Sequence, residues 1–510
     1  MSSPHALYLT AELRRIEQAA LSALPPGTLM SRAAAAVARR SLELLGARAP
    51  GASVLVLAGP GNNGGDALQA ATLLMQAGAR PGVMLCPEHA RRPEDAQRAF
   101  DLAAAAGLPF IAADPDRIRN GTWDLAIDGL FGIGLARGLA GDYPALIDAL
   151  NALACPVLAV DIPSGLDADT GMPAGGSGIA VRATHTLTFI GDKPGLHTGY
   201  GRDHAGEVTV DALGIPKERF FPVRLVLNQP PLFAEALRPR PHYSHKGSHG
   251  DVRLVGGARG MGGALMLAGR AALHAGAGRV FAGFLDAPPA YDDRQPELMC
   301  RRAEEMDFSS GVAVIGPGLG TSVAAAESLR RVLRSTMPAV LDADALNLIA
   351  TDPQLRAVLR ERQGEALLTP HPLEAARLLG TDTAAVQGDR IAAARRLAGE
   401  CNAVVILKGS GSVIASPDGE AAINPTGNPA LATGGTGDVL AGLAGALLAQ
   451  GLTSMQAALA ATWVHGTAAD ELVAEGVGPV GLTAGELAPA IRRAINRLIR
   501  EYAGDGRRRS

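Results

Sequence analysis

Four cysteines in 510 residues, Cys86, Cys155, Cys300 and Cys401, form no CxxC pair. That spacing argues against a structural zinc site and against a disulfide framework. Aromatic residues make up 4% of the chain, few for a surface that stacks bases or sugars. Neither sign of charge dominates: 47 Lys and Arg stand against 50 Asp and Glu, a net −3. The one basic run, Arg507–Arg509, follows Gly504 and Gly506 at the extreme C-terminus and reads as a frayed tail. A nucleic-acid protein needs a basic face, so no nucleic-acid partner is expected. No apolar run reaches the roughly 18 residues that a membrane span requires. Glu12, Arg14, Arg15 and Glu17 interrupt any basic-then-apolar signal at the N-terminus. These absences predict a soluble, cytoplasmic protein without membrane partners.

What is present is apolar and small. Hydrophobic residues make up 47% of the chain, and there are 63 glycines. The length predicts two or three domains. Short β-branched runs alternate with alanine-rich helical stretches: SVLVLA (53–58), PGVMLC (81–86), DLAIDGLF (124–131), PVLAVDI (156–162), DVRLVGG (251–257), VAVIGPG (312–318), PAVLDADAL (338–346) and AVVILKG (403–409). Continuous apolar strands with helices between them predict an α/β fold of parallel sheets covered on both faces. Pro230, Pro231, Pro239 and Pro241 cluster where no periodic pattern crosses, so the domain boundary is expected there, with 226–244 as linker. No internal repeat is visible.

The first glycine loop, Gly59-Pro60-Gly61-Asn62-Asn63-Gly64, fits G-x-G-x-x-G between a strand and a helix. Such a loop can cradle a dinucleotide's phosphates, and it can equally be a plain tight turn. No lysine follows in the Walker position. Asn62, Asn63 and Asp66 bring amides and a carboxylate instead, an oxygen-rich set suited to a hard cation or a polar substrate. Two further strand ends carry candidates: Asp128 with the loop Gly132–Gly138, whose Arg137 suits a phosphate, and Asp161 with Ser164. Each aspartate alone could be a turn residue, but three such strand ends in one domain favour a shared site.

GPGNNGGD, DGLFGIGL and VDIPSGLDADTG, followed by ATHTLTFIGDKPGLHTGYGRDHAGEVTVDALGIP, resemble the YjeF-type epimerase domain of the NAD(P)H-hydrate repair enzymes over nearly all of residues 1–216. The resemblance implies a Rossmann-like three-layer domain over 1–225 that interconverts the R and S hydrates of NADH and NADPH (NADHX and NADPHX). It implies a K⁺ site at Asn63, Asp128 and Ser164. It implies substrate contacts at Asn62, Asn63, Gly64, Gly65, Asp66, Gly132, Ile133, Gly134, Leu135, Ala136, Arg137, Gly138 and Asp161. Ala67 stands where that family usually has glycine, and is expected to narrow the loop slightly. The hydrate carries a hydroxyl on a ring carbon beside nitrogen; the nitrogen lone pair can expel it, water can return on the other face, and Asp161 can shuttle the proton.

The second loop, Thr433-Gly434-Gly435-Thr436-Gly437-Asp438, opens the strongly helical VLAGLAGALLAQ. Backbone N–H groups at such a helix start attract an anion, and an aspartate there can take a proton from a hydroxyl as a phosphoryl group arrives. The bland alternative is a capped helix. HKGSHGDVRLVGGARGMGGALMLAGRAALHAGAG, IGPGLG, LDADALN, TPHPLEAARLLG, LKGSGSV and NPALATGGTGDVLAG resemble, in order, the ADP-dependent NAD(P)H-hydrate dehydratases of the ribokinase-like superfamily. The resemblance implies a three-layer α/β/α domain over 245–502, with 503–510 as a disordered tail. It implies hydrate contacts at Ala264, Gly318, His371 and Asp438, nucleotide contacts at Lys408, Gly409, Ser410, Gly411, Ser412 and Gly437, and ADP with Mg²⁺ as co-substrate and cofactor. Leu373 and Ala430 stand where glycine is common in that family. Asp438 would deprotonate the hydroxyl, phosphorylation would make it a good leaving group, and elimination would restore the reduced ring, with release of AMP and phosphate. Other readings are a C-terminal kinase for a vitamin or sugar alcohol, and an N-terminal binding module without catalysis. A homo-oligomer packed through glycine-rich faces is expected.

Overall fold

A computed structural model describes residues 5–86, 91–135, 137–176 and 178–506. The chain divides into two compact units, one of residues 6–223 and one of residues from 224 onward together with the first few residues. Among the described residues no helix is long and apolar enough to cross a membrane.

The first unit holds β1 (Ser53–Ala58), β2 (Arg80–Leu85), β3 (Phe110–Ile111), β4 (Leu125–Gly129), β5 (Val157–Val160), β6 (His185–Phe189) and β7 (Glu207–Asp211). They form one sheet in the order β3-β2-β1-β4-β5-β6-β7, with every pairing parallel. This is the doubly wound, Rossmann-like order, and its direction reverses between β1 and β4. Side-chain alternation explains why the strands read as unbroken apolar runs. Val54, Val56, Leu125, Ile127, Leu158 and Val160 pack with the helices Thr28–Leu45 and Asn62–Gln76. Leu55, Leu57, Ala126, Val157 and Ala159 face the opposite layer, around Ile118, Leu146 and Leu150. Each such Val, Leu or Ile, fully buried, contributes about 1.5–3 kcal/mol.

The second unit holds β8 (Leu225–Leu227), β9 (Asp251–Gly256), β10 (Arg279–Phe284), β11 (Met299–Arg302), β12 (Val312–Ile315), β13 (Ala339–Leu341), β14 (Ala366–Leu368), β15 (Val404–Leu407), β16 (Val413–Ala415) and β17 (Ala421–Ile423). The sheet order is β11-β10-β9-β12-β13-β14-β15-β16-β17-β8, reversing between β9 and β12. On one face, Val252, Leu254, Val314, Val340 and Ile406 pack with the helices Gly262–His274, Thr436–Ala449, Ser454–Ala474 and Ala484–Gly506. Helices such as Val323–Arg334 and Arg390–Cys401 cover the other, completing three layers.

Three expectations need correction. Not all strands are parallel: β16 runs antiparallel to both β15 and β17, joined to β17 through the Asp418-Gly419 turn. The segment 226–244 is not a free linker, because Val226 and Leu227 belong to β8, paired with β17, and Phe233 is 1% exposed within the core. Pro230 starts a short 3₁₀ turn, Pro230–Leu232, rather than a separating stretch. The last helix continues to Gly506, so residues 503–506 are helical; 507–510 lie outside the described residues.

Candidate functional sites at the two switch points

In the first unit, the glycines of the loop after β1 serve the backbone. A Cβ at Gly59 would lie 1.8 Å from the Leu130 carbonyl oxygen, and one at Gly64 would lie 2.0 Å from the Gly59 oxygen. The tight turn therefore packs strand end against helix start, and only glycine fits. It delivers Asn62, Asn63 and Asp66, on the opening turns of the helix Asn62–Gln76, to the wall of a cavity of about 440 Å³. Gly132, Ile133, Gly134, Leu135 and Asp161 line the same cavity, at the carboxyl ends of β4 and β5. Glu17 and Lys193, which motif reading missed, line it too. Arg137 and Gly138 do not; they sit against Gly175, with Arg137 exposed. Ala136 lies outside the described residues. Ala67 does not narrow the loop as expected. Its methyl is buried against Gly129, 2.4 Å from where a Cβ there would stand, so the glycine at 129 makes the room.

The floor of this cavity is strained. Asp161 has φ 69°, and the Ile162 N–H donates to the Val160 carbonyl at 2.9 Å. Ile190, on the next strand end, has φ 68°, and the Gly191 N–H donates to Phe189 at 2.8 Å. Both are γ-turns of the rare positive-φ kind, costly for residues with a Cβ. Lys193, 1% exposed, ties them together: its ammonium donates to Asp161 Oδ1 at 2.8 Å, Thr188 Oγ1 at 2.5 Å, the Phe189 carbonyl at 3.2 Å and the Gly191 carbonyl at 3.3 Å. The Phe189 N–H also donates to Asp161 Oδ1, at 3.1 Å. With Oδ1 so occupied, Oδ2 is the oxygen left for chemistry, and it lies 3.3 Å from the Cβ position of Gly132, as does Asn63 Oδ1.

Asp128 and Ser164 lie beneath, each 0% exposed. Asp128 Oδ1 accepts from Ser164 Oγ at 2.6 Å, and Oδ2 from the Ser164 N–H at 2.8 Å. Burial pushes Asp128 up to about 6, although these hydrogen bonds pull it down. No ion pair among the described residues reaches it.

In the second unit, the helix Thr436–Ala449 begins after Gly435, at φ 92°. A Cβ on Gly434 would meet nothing within 4 Å. These glycines leave the helix start open. Asp342, which closes β13 and is 1% exposed, accepts from Lys408 Nζ at 2.8 Å and Thr369 Oγ1 at 2.7 Å. The Lys408 ammonium lies 3.3 Å from the Cβ position of Gly437. Burial works against its charge, but Asp342, Glu374 and Asp438 outweigh burial and hold Lys408 above its ordinary value. Asp438 is pushed up to about 6, first by burial and then by Asp342, against the pull of Lys408. Buried Arg390 donates to the carbonyls of Leu407 and Lys408, both at 3.2 Å, and so fixes the chain as it enters Gly409–Ser412. Gly318 and Ala264 are neighbours, a Cβ at the first lying 3.3 Å from that of the second.

His371 has a local task. Its Nδ1 accepts from the N–H groups of Leu373 and Glu374 at 3.1 and 3.3 Å, and Glu374 Oε2 accepts from the His371 N–H at 2.8 Å. This is a capping box that starts the helix Pro372–Leu379. Burial and Lys408 lower its pKa, which suits the unprotonated Nδ1 that the cap needs. Leu373 is 44% exposed, and Ala430 is buried in the core.

Residues 26–195 match a family model described as "YjeF-related protein N-terminus", and residues 252–493 match one described as "NAD(P)H-hydrate dehydratase". A bifunctional NAD(P)H-hydrate repair enzyme of Coxiella burnetii is 38% identical, covering 96% of this chain and 99% of that one. An ADP-dependent (S)-NAD(P)H-hydrate dehydratase of Neisseria meningitidis is 44% identical, over 52% of this chain and 92% of that one. A solved ADP/ATP-dependent NAD(P)H-hydrate dehydratase from Bacillus subtilis is 31% identical and covers 53% of this chain and 98% of that one, with a TM-score of 0.47. The near-full-length likeness spans both switch-point sites, and the chain belongs to the bifunctional NAD(P)H-hydrate repair enzymes.

Proposed function

We propose that this chain repairs hydrated nicotinamide cofactors in two steps. The first unit interconverts the R and S hydrates of NADH and NADPH, and the second dehydrates the S form at the expense of ADP, giving AMP and phosphate. The observation that carries the reading is the open helix start with Asp438 and Lys408, in a chain that also keeps the strained Asp161 cavity.

In the second unit, Asp438 takes the proton of the hydrate's hydroxyl as its oxygen is phosphorylated. Lys408 and the helix N-terminus stabilise the transferred charge. The stretch Lys408–Ser412, with Gly437, receives the nucleotide, and Ala264, Gly318 and His371 flank the hydrate. Mg²⁺ suits this place because it binds through a nucleotide's phosphates with one or two carboxylates, and Asp344, whose charge reaches Asp438, would share it. When bound it lends positive charge to the phosphoryl group.

In the first unit, Asp161 exchanges the proton of the departing and returning water. Asn62–Asp66 and Gly132–Leu135 hold the substrate. A monovalent cation fits Asn63, Asp128 and Ser164, a hard-oxygen set with a buried carboxylate that no cationic side chain among the described residues reaches. Potassium there would neutralise Asp128 and fix the loops around it. The protein acts in the cytoplasm as a homo-oligomer.

The test is a recovery assay: purified chain, both epimers of NADH hydrate, Mg²⁺ and K⁺, then ADP. Full return of reduced-nicotinamide absorbance is expected, well ahead of a protein-free control. Recovery that stops at the S fraction would remove the epimerase from the proposal, and no recovery would sink it.

A further inference from the structure

The epimerase reading rests both halves of its acid–base chemistry on one carboxyl, Asp161. Expelling a hydroxyl needs a proton donor, and readmitting water on the opposite face needs an acceptor. Asp161 serves one side of that exchange: the Lys193 ammonium and the Phe189 N–H both donate to Oδ1, which leaves Oδ2 towards the Gly132 loop.

A second carboxyl faces the same cavity. Asp66 lies one helical turn beyond Asn62 and Asn63, is 9% exposed and lines the cavity with Asp161. It receives no hydrogen bond and forms no ion pair with any described residue, whereas Asp161 has both. A carboxylate in so dry a position without a donor is costly, and a neutral carboxylic acid is not. Three further charged groups bound the cavity: Glu17 and Arg14 on the helix Thr10–Leu21, and Asp95 on the helix Glu94–Ala105. Burial first, then the charges of Asp161, Glu17 and Asp95, raise Asp66 well above its ordinary value. Two carboxyls on one cavity, one tied to a buried ammonium and one without a partner, are the pattern of a base and its acid.

Resting on the epimerase reading, we propose that Asp66 is the proton donor of this centre and Asp161 Oδ2 the acceptor. As the C–O bond breaks, the ring nitrogen's lone pair forms a C=N bond, and the hydroxyl takes the Asp66 proton and leaves as water. Water adds to the other face, the C=N pair returns to nitrogen, and the surplus proton passes to Asp161. One proton has crossed from Asp66 to Asp161, and epimerisation in the other direction carries it back.

The experiment uses the full chain with pure S hydrate, K⁺ and no nucleotide, so that only epimerisation is seen, followed by separation of the epimers. Asp66→Asn is expected to lower kcat about 100-fold or more with little change in KM. Asp66→Glu should recover part of that loss. The fall of wild-type kcat at high pH, where the donor ionises, should be absent from Asp66→Asn, and its melting temperature should not fall, because the amide needs no proton to stay neutral. In H₂¹⁸O the wild-type R product should carry the label. An unchanged kcat, or a rise in KM alone, would overturn the assignment and leave Asp66 as a substrate contact. Loss in Glu17→Gln with a normal rate in Asp66→Asn would move the donor to Glu17. A wild-type chain no faster than buffer would instead sink the epimerase reading itself.

Discussion

The two glycine loops look alike on paper and do opposite work. In the first, Gly59 and Gly64 are closed upon backbone atoms, and what reaches the cavity is the set of side chains that the tight turn delivers, Asn62, Asn63 and Asp66. In the second, a Cβ on Gly434 would meet nothing within 4 Å, Gly435 takes a left-handed conformation, and the backbone itself is the candidate binding element. One loop uses glycine for what it lets approach inside the protein, the other for what it lets approach from outside. A G-x-G pattern does not distinguish the two; what lies where the missing Cβ would be does.

That contrast can be broken in measurable ways. The largest effect is expected from Asp438→Asn, which should lower ADP-dependent dehydration about 10³-fold while epimerisation continues at its normal rate. Loss of both activities together would mean that the two loops are not independent. Next comes Gly64→Ala, whose methyl meets the Gly59 backbone; about 2–3 kcal/mol of stability should be lost from the first unit, read by chemical denaturation. The matching change Gly434→Ala should alter stability by no more than about 0.5 kcal/mol and instead raise the KM for ADP. A gentler probe is pH. As the proposed base, Asp438 would act only when ionised, so dehydration kcat should be level at neutral pH and fall about tenfold per unit once pH drops below about 6. A flat profile down to pH 5 would remove that role.

Much of the architecture was legible in the chain. VLVLA (54–58) and AVVIL (403–407) announce strands buried on both faces because every position, in or out, is apolar. Asp128, Asp161 and Asp342 sit where those runs stop, so a strand-end site could be expected before any contact was known. β8, β16 and β17 escaped notice because three residues leave no periodicity to read, although SPDGE between two apolar runs is a hairpin signal. Lys193 escaped for another reason. Its meaning arises only when the fold brings it to Asp161, 32 positions earlier, and nothing in GDKPG marks a lysine that will be buried. His371 shows the converse: the resemblance implied only a hydrate contact, and the structure adds a local task, the imidazole accepting from the N–H groups that open the helix Pro372–Leu379.

The short strand β8 has a practical consequence for anyone wishing to prepare the dehydrating half by itself. A gene fragment beginning at residue 245 would discard the strand, strip Phe233 from its seat, and turn β17 into a bare edge with a free row of amides, the kind of border along which chains stack into aggregates. Starting at Arg224 keeps the selvedge intact, since its carbonyl already accepts from Ala421 and Arg395. The join between the two catalysts is therefore stitched into one of them, and a clean separation has to be cut on the far side of that seam.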